Sequence, residues 1–326
     1  MVKVINTLLA IVGGVGGALV LYWLLNFIAE RLPARWEDRV KPYFYILPAV
    51  AALGLYLVYP LIQTIIYSFA NNTSSAWVGF KNYTDLLSQR DFQITLVNTL
   101  LWILIAPAVV VALGLAVATL ADRLAPRGEQ TAKTLIFLPM AVSGVALAAI
   151  WRFIYEVRPA GEPQIGLLNA VVTKLGHDPV AWLQLSTGKT NTFLLMVVLI
   201  WSQVGFSMVL LSAAIKGVPD ETLEAARIDG AKERQVFFRI VVPQIWGTVI
   251  TVFVTTLINV MKIFDIVYVM TGGNFNTNVV AVRFINELIT NGNQGRAATI
   301  VVILVIAIIP LMVYQVRNFR AQEAAR

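Results

Sequence analysis

The chain has 326 residues, of which 58% are hydrophobic and only 13% are charged, and its formal net charge is +7. So few polar residues cannot cover the surface of a water-soluble fold of this length, which excludes an ordinary soluble globular protein. The absence of cysteine excludes disulfides and thiolate metal sites, and the single histidine, His177, excludes a multi-histidine metal centre. The sequence therefore predicts a membrane protein without a metal site.

Apolar runs long enough to cross a bilayer, about 20 residues each, recur seven times along the chain. Backbone polar groups in lipid must be satisfied within their own segment, which predicts helices, and the alternating pattern of a membrane barrel is absent. The predicted fold is all-α, a polytopic transmembrane helical bundle with spans near 4–28, 43–69, 94–121, 132–155, 192–215, 245–270 and 297–316.

The distribution of lysine and arginine predicts the orientation of these spans. The segments 29–42, 122–131, 216–244 and 317–326, with Lys133 at the border of the fourth span, hold 15 of the 25 basic residues, whereas the opposite side holds eight. Basic residues accumulate in cytoplasmic loops, so the first set is predicted to be cytoplasmic. The amino terminus is then external and the carboxyl terminus cytoplasmic, and the positive net charge requires no nucleic acid.

One charge-rich loop, 216–244, interrupts the apolar sequence, and its pattern predicts a short helix. Pro219 suits a first helical position, where a missing N–H is tolerated. Leu223, Ala226 and Gly230 follow at i, i+3 and i+7, which predicts a helix with one face of small apolar residues.

The same loop contains signals for the end of this helix and the start of another. Asp229-Gly230 ends the first helix because glycine accepts a positive φ, and a second helical stretch begins near Lys232. Pro243 then marks entry to the next span, and Glu224 projects beside the apolar face. Both a docking site for another protein and an amphipathic helix lying on the lipid surface fit this pattern.

The loop resembles the EAA loop of ATP-binding-cassette (ABC) importer permeases, in the form typical of carbohydrate importers. The flanking segments 201–206 and 264–273, and Asn98-Thr99-Leu100, are similar to spans of the same family. The chain departs from the family at Gly247, where a second proline is usual, and at Asn274, where Gly-Gly-Pro is usual. The resemblance covers about residues 43–317 and is most specific at Glu224, Ala225, Ala226, Asp229, Gly230, Ala231 and Pro243.

The resemblance implies a six-span permease core with one extra amino-terminal span. It also implies a coupling helix seated in a groove of a cytoplasmic ATPase subunit, where Glu224 pairs with a basic group and Gly230 allows a tight bend. The implied ATPase-coupling residues are Glu224, Ala225, Ala226, Asp229, Gly230 and Pro243. The implied division is 1–42 for the extra span and cytoplasmic linker, 43–317 for the core with its coupling loop 216–244, and 318–326 for a cytoplasmic tail.

The implied partners are a second permease chain, usually a different one, two ATPase subunits and an external solute-binding protein. This chain is expected to be no enzyme and to bind no cofactor directly, with ATP and Mg²⁺ held by the ATPase partner. Thr187-Gly188-Lys189-Thr190 is similar to the end of a phosphate-binding loop. The complete pattern requires glycine five residues before Gly188, where this chain has Leu183.

Polar residues inside the predicted spans are the candidates for the solute path. A charge at mid-bilayer costs about 2.5–3.5 kcal/mol on insertion scales and rarely faces lipid. Asn259, Lys262 and Asp265 recur every three residues on the predicted sixth span, and a local ion pair between the last two is the alternative to solute binding. The remaining candidates are Asn98, Gln203 and Phe206.

The sequence therefore predicts one permease subunit of an ATP-driven, binding-protein-dependent carbohydrate importer in the cytoplasmic (inner) membrane of a bacterium or archaeon. The expected solute is an oligosaccharide or resembles an α-glucoside. Other classes remain open. An ion-coupled secondary transporter would require paired carboxylates or a broken-helix repeat, a membrane scaffold would use the loop 216–244 only for recruitment, and another small polar solute would fit the same family.

Overall fold

The computed structural model describes residues 2–31 and 33–324, which divide into two compact units between Ile66 and Tyr67. Helices dominate these residues, and the only extended pairing among them is an isolated antiparallel bridge between Ala70 and Trp77. The all-α fold predicted from the apolar runs is confirmed.

The first unit contains a helical hairpin fastened by aromatic and polar contacts. The rings of Tyr22 and Tyr45 stack with centroids 6.1 Å apart, and the Tyr45 hydroxyl donates to Asn26 Oδ1 at 2.8 Å. The domain boundary predicted at residue 42 lies within the second helix, and the predicted domain division stays a prediction. The helices are α1 (Val2–Ala29) and α2 (Ala34–Leu53), followed by a π-helical turn (Gly54–Val58) and α3 (Tyr59–Tyr67).

The second unit is a bundle in which α5 packs along α9 and α13. Short 3₁₀ or π-helical segments occur at Leu138–Ala141, Trp182–Gln184, Thr187–Lys189, Phe237–Val241 and Asn286–Thr290, and all except Trp182–Gln184 adjoin a helix. In chain order the helices are α4 (Lys81–Ser88), α5 (Arg90–Ala121), α6 (Pro126–Phe137), α7 (Gly144–Ile154), α8 (Leu167–Lys174), α9 (Thr190–Lys216), α10 (Asp220–Ile228), α11 (Glu233–Val236), α12 (Val242–Gln244), α13 (Trp246–Met261), α14 (Asp265–Thr271), α15 (Val280–Ile285) and α16 (Gln294–Ala324). Residues 325 and 326 of the predicted tail lie outside the described residues.

Helix α5 defines the two ends of the second unit. Phe92, near its start, is buried against Ile300, and Trp102 is buried in the middle. Ala118, near its end, belongs to the apolar cluster that contains Val236 of the loop 216–244. We therefore call the end at which α5 finishes the loop end, and the end at which α5 begins the opposite end.

Four helical stretches in the described part of the chain are long and apolar enough to cross a membrane: Val12–Ala29, Lys41–Tyr67, Arg90–Ala121 and Thr187–Lys216. Two further spans result if each of two bent helix pairs counts as one. The apolar part of α16, Gln294–Pro310, is shorter. The predicted total of seven spans stays a prediction.

The fourth predicted span, 132–155, is not a continuous helix. Helix α6 with its 3₁₀ extension and helix α7 meet at a bend of 103°. Pro139 lies in the 3₁₀ segment, and its ring removes a helical N–H donor. Ser143 then caps the new helix by accepting a hydrogen bond from the Ala146 N–H at 3.3 Å.

The sixth predicted span, 245–270, is also interrupted. Helix α13 ends at Met261, residues 262–264 leave the helical path, and α14 begins at Asp265. The prediction that Lys262 and Asp265 lie three residues apart on one continuous helix is therefore wrong, since α13 ends before Lys262 and α14 begins at Asp265. Lys262 follows the negative end of α13, and Asp265 opens the positive end of α14, so each charge complements a helix dipole.

Candidate functional site

The two interrupted spans meet at a polar cavity in the second unit. Its volume is about 200 Å³, and α7, α9 and the break between α13 and α14 line it. Four of the six predicted solute-path residues lie on its wall: Gln203, Asn259, Lys262 and Asp265. The structure therefore gathers groups from two distant parts of the chain that the sequence could only nominate one by one.

Asp265 sits against the first turn of α7. An added Cβ at Gly144 would lie 2.7 Å from Asp265 Oδ2 and 3.2 Å from its Cβ, so any larger residue there would force Asp265 to move. The carboxylate therefore faces the amino-terminal end of α7 while opening α14, and both helix dipoles favour its negative charge. Asp265 is thereby positioned as a hydrogen-bond acceptor at the cavity wall.

The other polar groups of the cavity keep hydrogen-bonding capacity for a ligand. The Oε1 atom of Gln203 is shielded and accepts no hydrogen bond from the described residues. Asn259 and Lys262 are exposed in the isolated chain. The described residues contain no ion pair between Lys262 and Asp265, so the alternative of a self-satisfied pair is not observed.

One aromatic side chain lines this cavity, and sequence reasoning did not nominate it. Phe264 lines it and stacks on Tyr268 with ring centroids 4.8 Å apart and planes 19° from parallel. Trp201, two residues before Gln203, makes an edge contact with Trp151, with ring centroids 5.6 Å apart. The spacing of Phe264 and Tyr268, four residues apart, was the available signal.

Two predicted solute-path residues lie elsewhere. Asn98 is fully buried, and its amide donates to the carbonyls of Asn276 at 2.7 Å and Asn278 at 2.8 Å. Its Oδ1 accepts from Lys189 Nζ at 2.8 Å. Asn98 thus fastens the loop after α14 to α5, and Phe206 is half-buried on α9 without lining the cavity.

At the loop end, α10 presents two different faces. Leu223 and Ala226 pack against the apolar cluster at the base of α5 and α9, as the predicted stripe requires. On the other side Glu224 and Ala225 are exposed, and Ile228 is 86% exposed. An aliphatic side chain so open to solvent marks a surface suited to contact with another molecule.

A Schellman motif ends α10 and explains the requirement for glycine. Gly230 has φ +81°, its N–H donates to Arg227 at 3.0 Å, and the Ala231 N–H donates to Ala226 at 3.0 Å. Arg227 Nε also pairs with Glu233 at 2.8 Å, and this pair raises the pKa of the Arg227 guanidinium. The turn therefore holds α10 and α11 at a fixed angle.

An ion cluster beside this loop escaped sequence reasoning. Lys133 Nζ on α6 donates to Asp122 Oδ1 at 2.7 Å and to Glu129 Oε1 at 2.5 Å, and it contacts Ser212 on α9. Lys216 at the end of α9 also pairs with Glu129. The cluster joins the ends of α5 and α9 to α6, four residues before α10 begins. Only the pair at 129 and 133 has a recognisable local spacing.

A helical membrane bundle with a polar cavity between interrupted spans and an exposed helical loop at one end defines a membrane permease. Residues 111–320 match the family described as binding-protein-dependent transport system inner membrane component, and the chain belongs to this family. It is thus a transport permease, as predicted from the loop 216–244, and an inner-membrane protein.

Similar proteins cover nearly the whole chain. The alpha-glucoside transport system permease protein AglF of Rhizobium meliloti (strain 1021) is 41% identical, over 98% of both chains. The osmoprotective compounds uptake permease protein GgtC of Synechocystis sp. is 46% identical over 86% of this chain and 100% of its own.

Among solved structures, a bacterial ABC transporter involved in the import of the acidic polysaccharide alginate matches with a TM-score of 0.74. The match covers 88% of this chain and 99% of that one at 20% sequence identity. At this identity the similarity shows a shared fold.

Proposed function

We propose that this chain is one transmembrane subunit of an ATP-driven carbohydrate importer whose solute is an oligosaccharide or resembles an α-glucoside. The observation that carries the proposal is the cavity in which Gln203, Asn259, Lys262 and Asp265 converge beside the stacked rings of Phe264 and Tyr268. Amide and charged groups offer hydrogen bonds to hydroxyls, and an aromatic face suits the apolar face of a sugar ring.

The coupling proposal rests on the exposed face of α10. Three acids and one base, Asp220, Glu221, Glu224 and Arg227, make this helix acidic. An acidic helix is repelled by the anionic cytoplasmic leaflet, which disfavours the alternative of a helix lying on lipid. A basic groove on a cytoplasmic ATPase subunit is the complementary partner, with Glu224 as the pairing acid and Ile228 as the apolar contact.

A second permease chain is proposed to cover the open side of the cavity. Asn259, Lys262 and Asp265 are all exposed on this chain although they lie within the sixth predicted span, in its outer part. Charges rarely face lipid at that depth. Lys262 also lines an apolar cavity of about 770 Å³ between α5, α13 and α16, a face that a neighbouring helical chain can fill.

The proposed topology places the amino terminus outside and the loop 216–244 with the carboxyl terminus in the cytoplasm. The excess of lysine and arginine on that side supports it. ATP and Mg²⁺ are then bound by two ATPase subunits, and an external binding protein delivers the solute.

The proposal is tested by reconstituting the chain with its co-purifying subunits in liposomes and measuring solute-stimulated ATP hydrolysis together with uptake. The solute panel contains α-glucosides, an osmoprotective compound, amino acids and inorganic ions. Glu224→Lys is expected to leave the protein in the membrane and abolish the stimulation, whereas Lys174→Glu, on α8 in a predicted external loop, serves as the matched charge reversal. Uptake limited to amino acids or ions would overturn the carbohydrate assignment, and normal coupling in Glu224→Lys would overturn the role of α10.

A further inference from the structure

A second polar cavity lies at the opposite end of the second unit, about 48 Å along α5 from the loop end at 1.5 Å per residue. Its volume is about 440 Å³, and its wall is formed by the segment before α4, by α4 itself and by the start of α16. Lys81, Asp85 and Arg296 are its charged lining residues, which leaves the wall with one net positive charge. None of them takes part in the solute cavity.

Arg296 carries the strongest unused hydrogen-bonding capacity of this cavity. Its Nε and Nη2 atoms are shielded and have no acceptor among the described residues. The residue is held in place by its backbone N–H, which donates to Asn293 Oδ1 at 3.0 Å. Charged donors are costly when unpaired, so a small movement of the Arg296 guanidinium toward an anionic acceptor in the cavity is favourable.

The cavity wall is built before any ligand arrives. Asn82 Nδ2 donates to the carbonyls of Ser68 at 3.0 Å and Ala70 at 2.7 Å, and the Gln294 N–H donates to the Asn72 carbonyl at 2.9 Å. An added Cβ at Gly295 would collide with the carbonyl of Ala70. These contacts lock the segment before α4 against the start of α16, so the basic groups need little ordering on binding.

Two aromatic side chains just before α4 are open to solvent. Lys81, Asp85 and Ser88 face the cavity at i, i+4 and i+7. Phe80, the residue before α4, is 68% exposed, and Trp77, in the preceding turn, is 70% exposed, and neither lines the cavity.

These two exposed rings belong to one aromatic cluster. Phe69 stacks on Trp77 at 5.3 Å and meets the edge of Phe80 at 5.2 Å. Exposed aromatic side chains beside the ends of membrane spans are typical of the interface, where one side of an amphipathic segment enters the lipid.

We propose that this cavity binds the phosphate of an anionic phospholipid headgroup, with Arg296 and Lys81 as donors. Trp77 and Phe80 then lie in the interfacial layer beside the same lipid. A basic, preformed pocket next to exposed aromatic side chains on the segment that leads into α4 fits a ligand with a charged head and an apolar body. A soluble anion would use the first feature only, and the inference is independent of which solute the protein carries.

Binding is measured by native mass spectrometry of the full-length chain with its co-purifying subunits, delipidated in neutral detergent and titrated with phosphatidylglycerol or phosphatidylcholine. Arg296→Gln is expected to weaken phosphatidylglycerol binding about tenfold, the effect of one lost charge-assisted hydrogen bond. Asp85→Asn is expected to strengthen it, because the repulsive carboxylate is removed. Arg90→Gln, an exposed arginine at the same end and outside the cavity, is the matched control and is expected to change nothing.

Further measurements distinguish binding of the lipid from binding of other anions. Replacing Trp77 and Phe80 with serine is expected to weaken phosphatidylglycerol binding while leaving any competition by inorganic phosphate unchanged. Three results would overturn the proposal. The first is equal binding of both phospholipids, and the second is an equal loss of phosphatidylglycerol binding in Arg90→Gln and Arg296→Gln. The third is saturation of the cavity by inorganic phosphate together with unchanged lipid binding in the serine variants. If Arg296→Gln fails to fold, Lys81→Gln is still expected to weaken phosphatidylglycerol binding and Asp85→Asn to strengthen it.

Discussion

A methyl group on Gly144 would lie 2.7 Å from Oδ2 of Asp265, so the first turn of α7 and the first turn of α14 are in direct contact through a glycine and a carboxylate. The contact joins the two interrupted spans, which are separated by more than a hundred residues in sequence. The position of the acid at the solute cavity therefore depends on a residue without a side chain.

We expect Gly144→Ala to lower stability by about 1–3 kcal/mol, the usual range for an overpacked site, and to lower uptake because Asp265 must move. Adding Asp265→Ala should recover part of the lost stability, since the clash disappears, but not the uptake. The thermal unfolding midpoint of the purified chain provides the measurement. Gly128→Ala is the control, because its Cβ would meet only Leu124 at 3.7 Å; equal effects at both glycines would show that the contact is unimportant.

The Schellman turn of α10 predicts a graded series at Gly230. Asparagine tolerates a positive φ and should retain most coupling, alanine should lose about 1 kcal/mol of local stability, and proline should be worst because it cannot adopt φ +81° and lacks the N–H bound to Arg227. Coupling is measured as solute-stimulated ATP hydrolysis divided by uptake. A flat series, with proline as active as asparagine, would rule out a role for the turn geometry.

The ion cluster predicts unequal effects of its two lysines. The Lys133 side chain is 19% exposed and contacts three partners, whereas that of Lys216 is 52% exposed. Lys133→Met should therefore destabilise the protein by about 2–4 kcal/mol, as expected when a shielded acid loses its partner, and Lys216→Met by less than about 1 kcal/mol. Unfolding midpoints at low and high salt test this, and the smaller effect should vanish at high salt. The reverse order would mean that the cluster is not organised around Lys133.

Asn98 predicts a structural defect rather than a change of solute. Asn98→Ala leaves two carbonyls and a lysine unpaired and should cost about 2–4 kcal/mol. Lys189→Met removes a single donor and should cost less. Both variants should keep the solute preference of the parent protein, which a competition uptake assay measures. A changed preference in Asn98→Ala would return this residue to the solute path.

Much of the loop end could be predicted from the sequence because its signals are local. Leu223 and Ala226 pack inward as their spacing requires, and Gly230 ends α10 with the positive φ that its identity allows. Helix termini are decided by a few neighbouring residues, and these are visible in a single sequence.

The cavity could be predicted only in part. Its polar residues were nominated because charges are rare in membrane spans, but the break at 262–264 contains neither glycine nor proline, so the apolar run concealed it. The positive charge of Lys262 suits a helix end, and the negative charge of Asp265 suits a helix start. These opposite charges were the signal in the sequence for the break. The ion cluster at Lys133 depends on Ser212, 79 residues away, and only tertiary packing brings them together.

The break between α13 and α14 has a consequence for how transporters of this kind diverge. Backbone that leaves a helix at membrane depth is tolerated where it is buried or lines a watery cavity, and its carbonyl groups no longer point along a helix. Such groups belong to every residue type, so side-chain substitutions at 262–264 leave them in place. Substitutions at 262–264 can therefore change the chemistry of the cavity wall while the break itself, a property of the main chain, is retained.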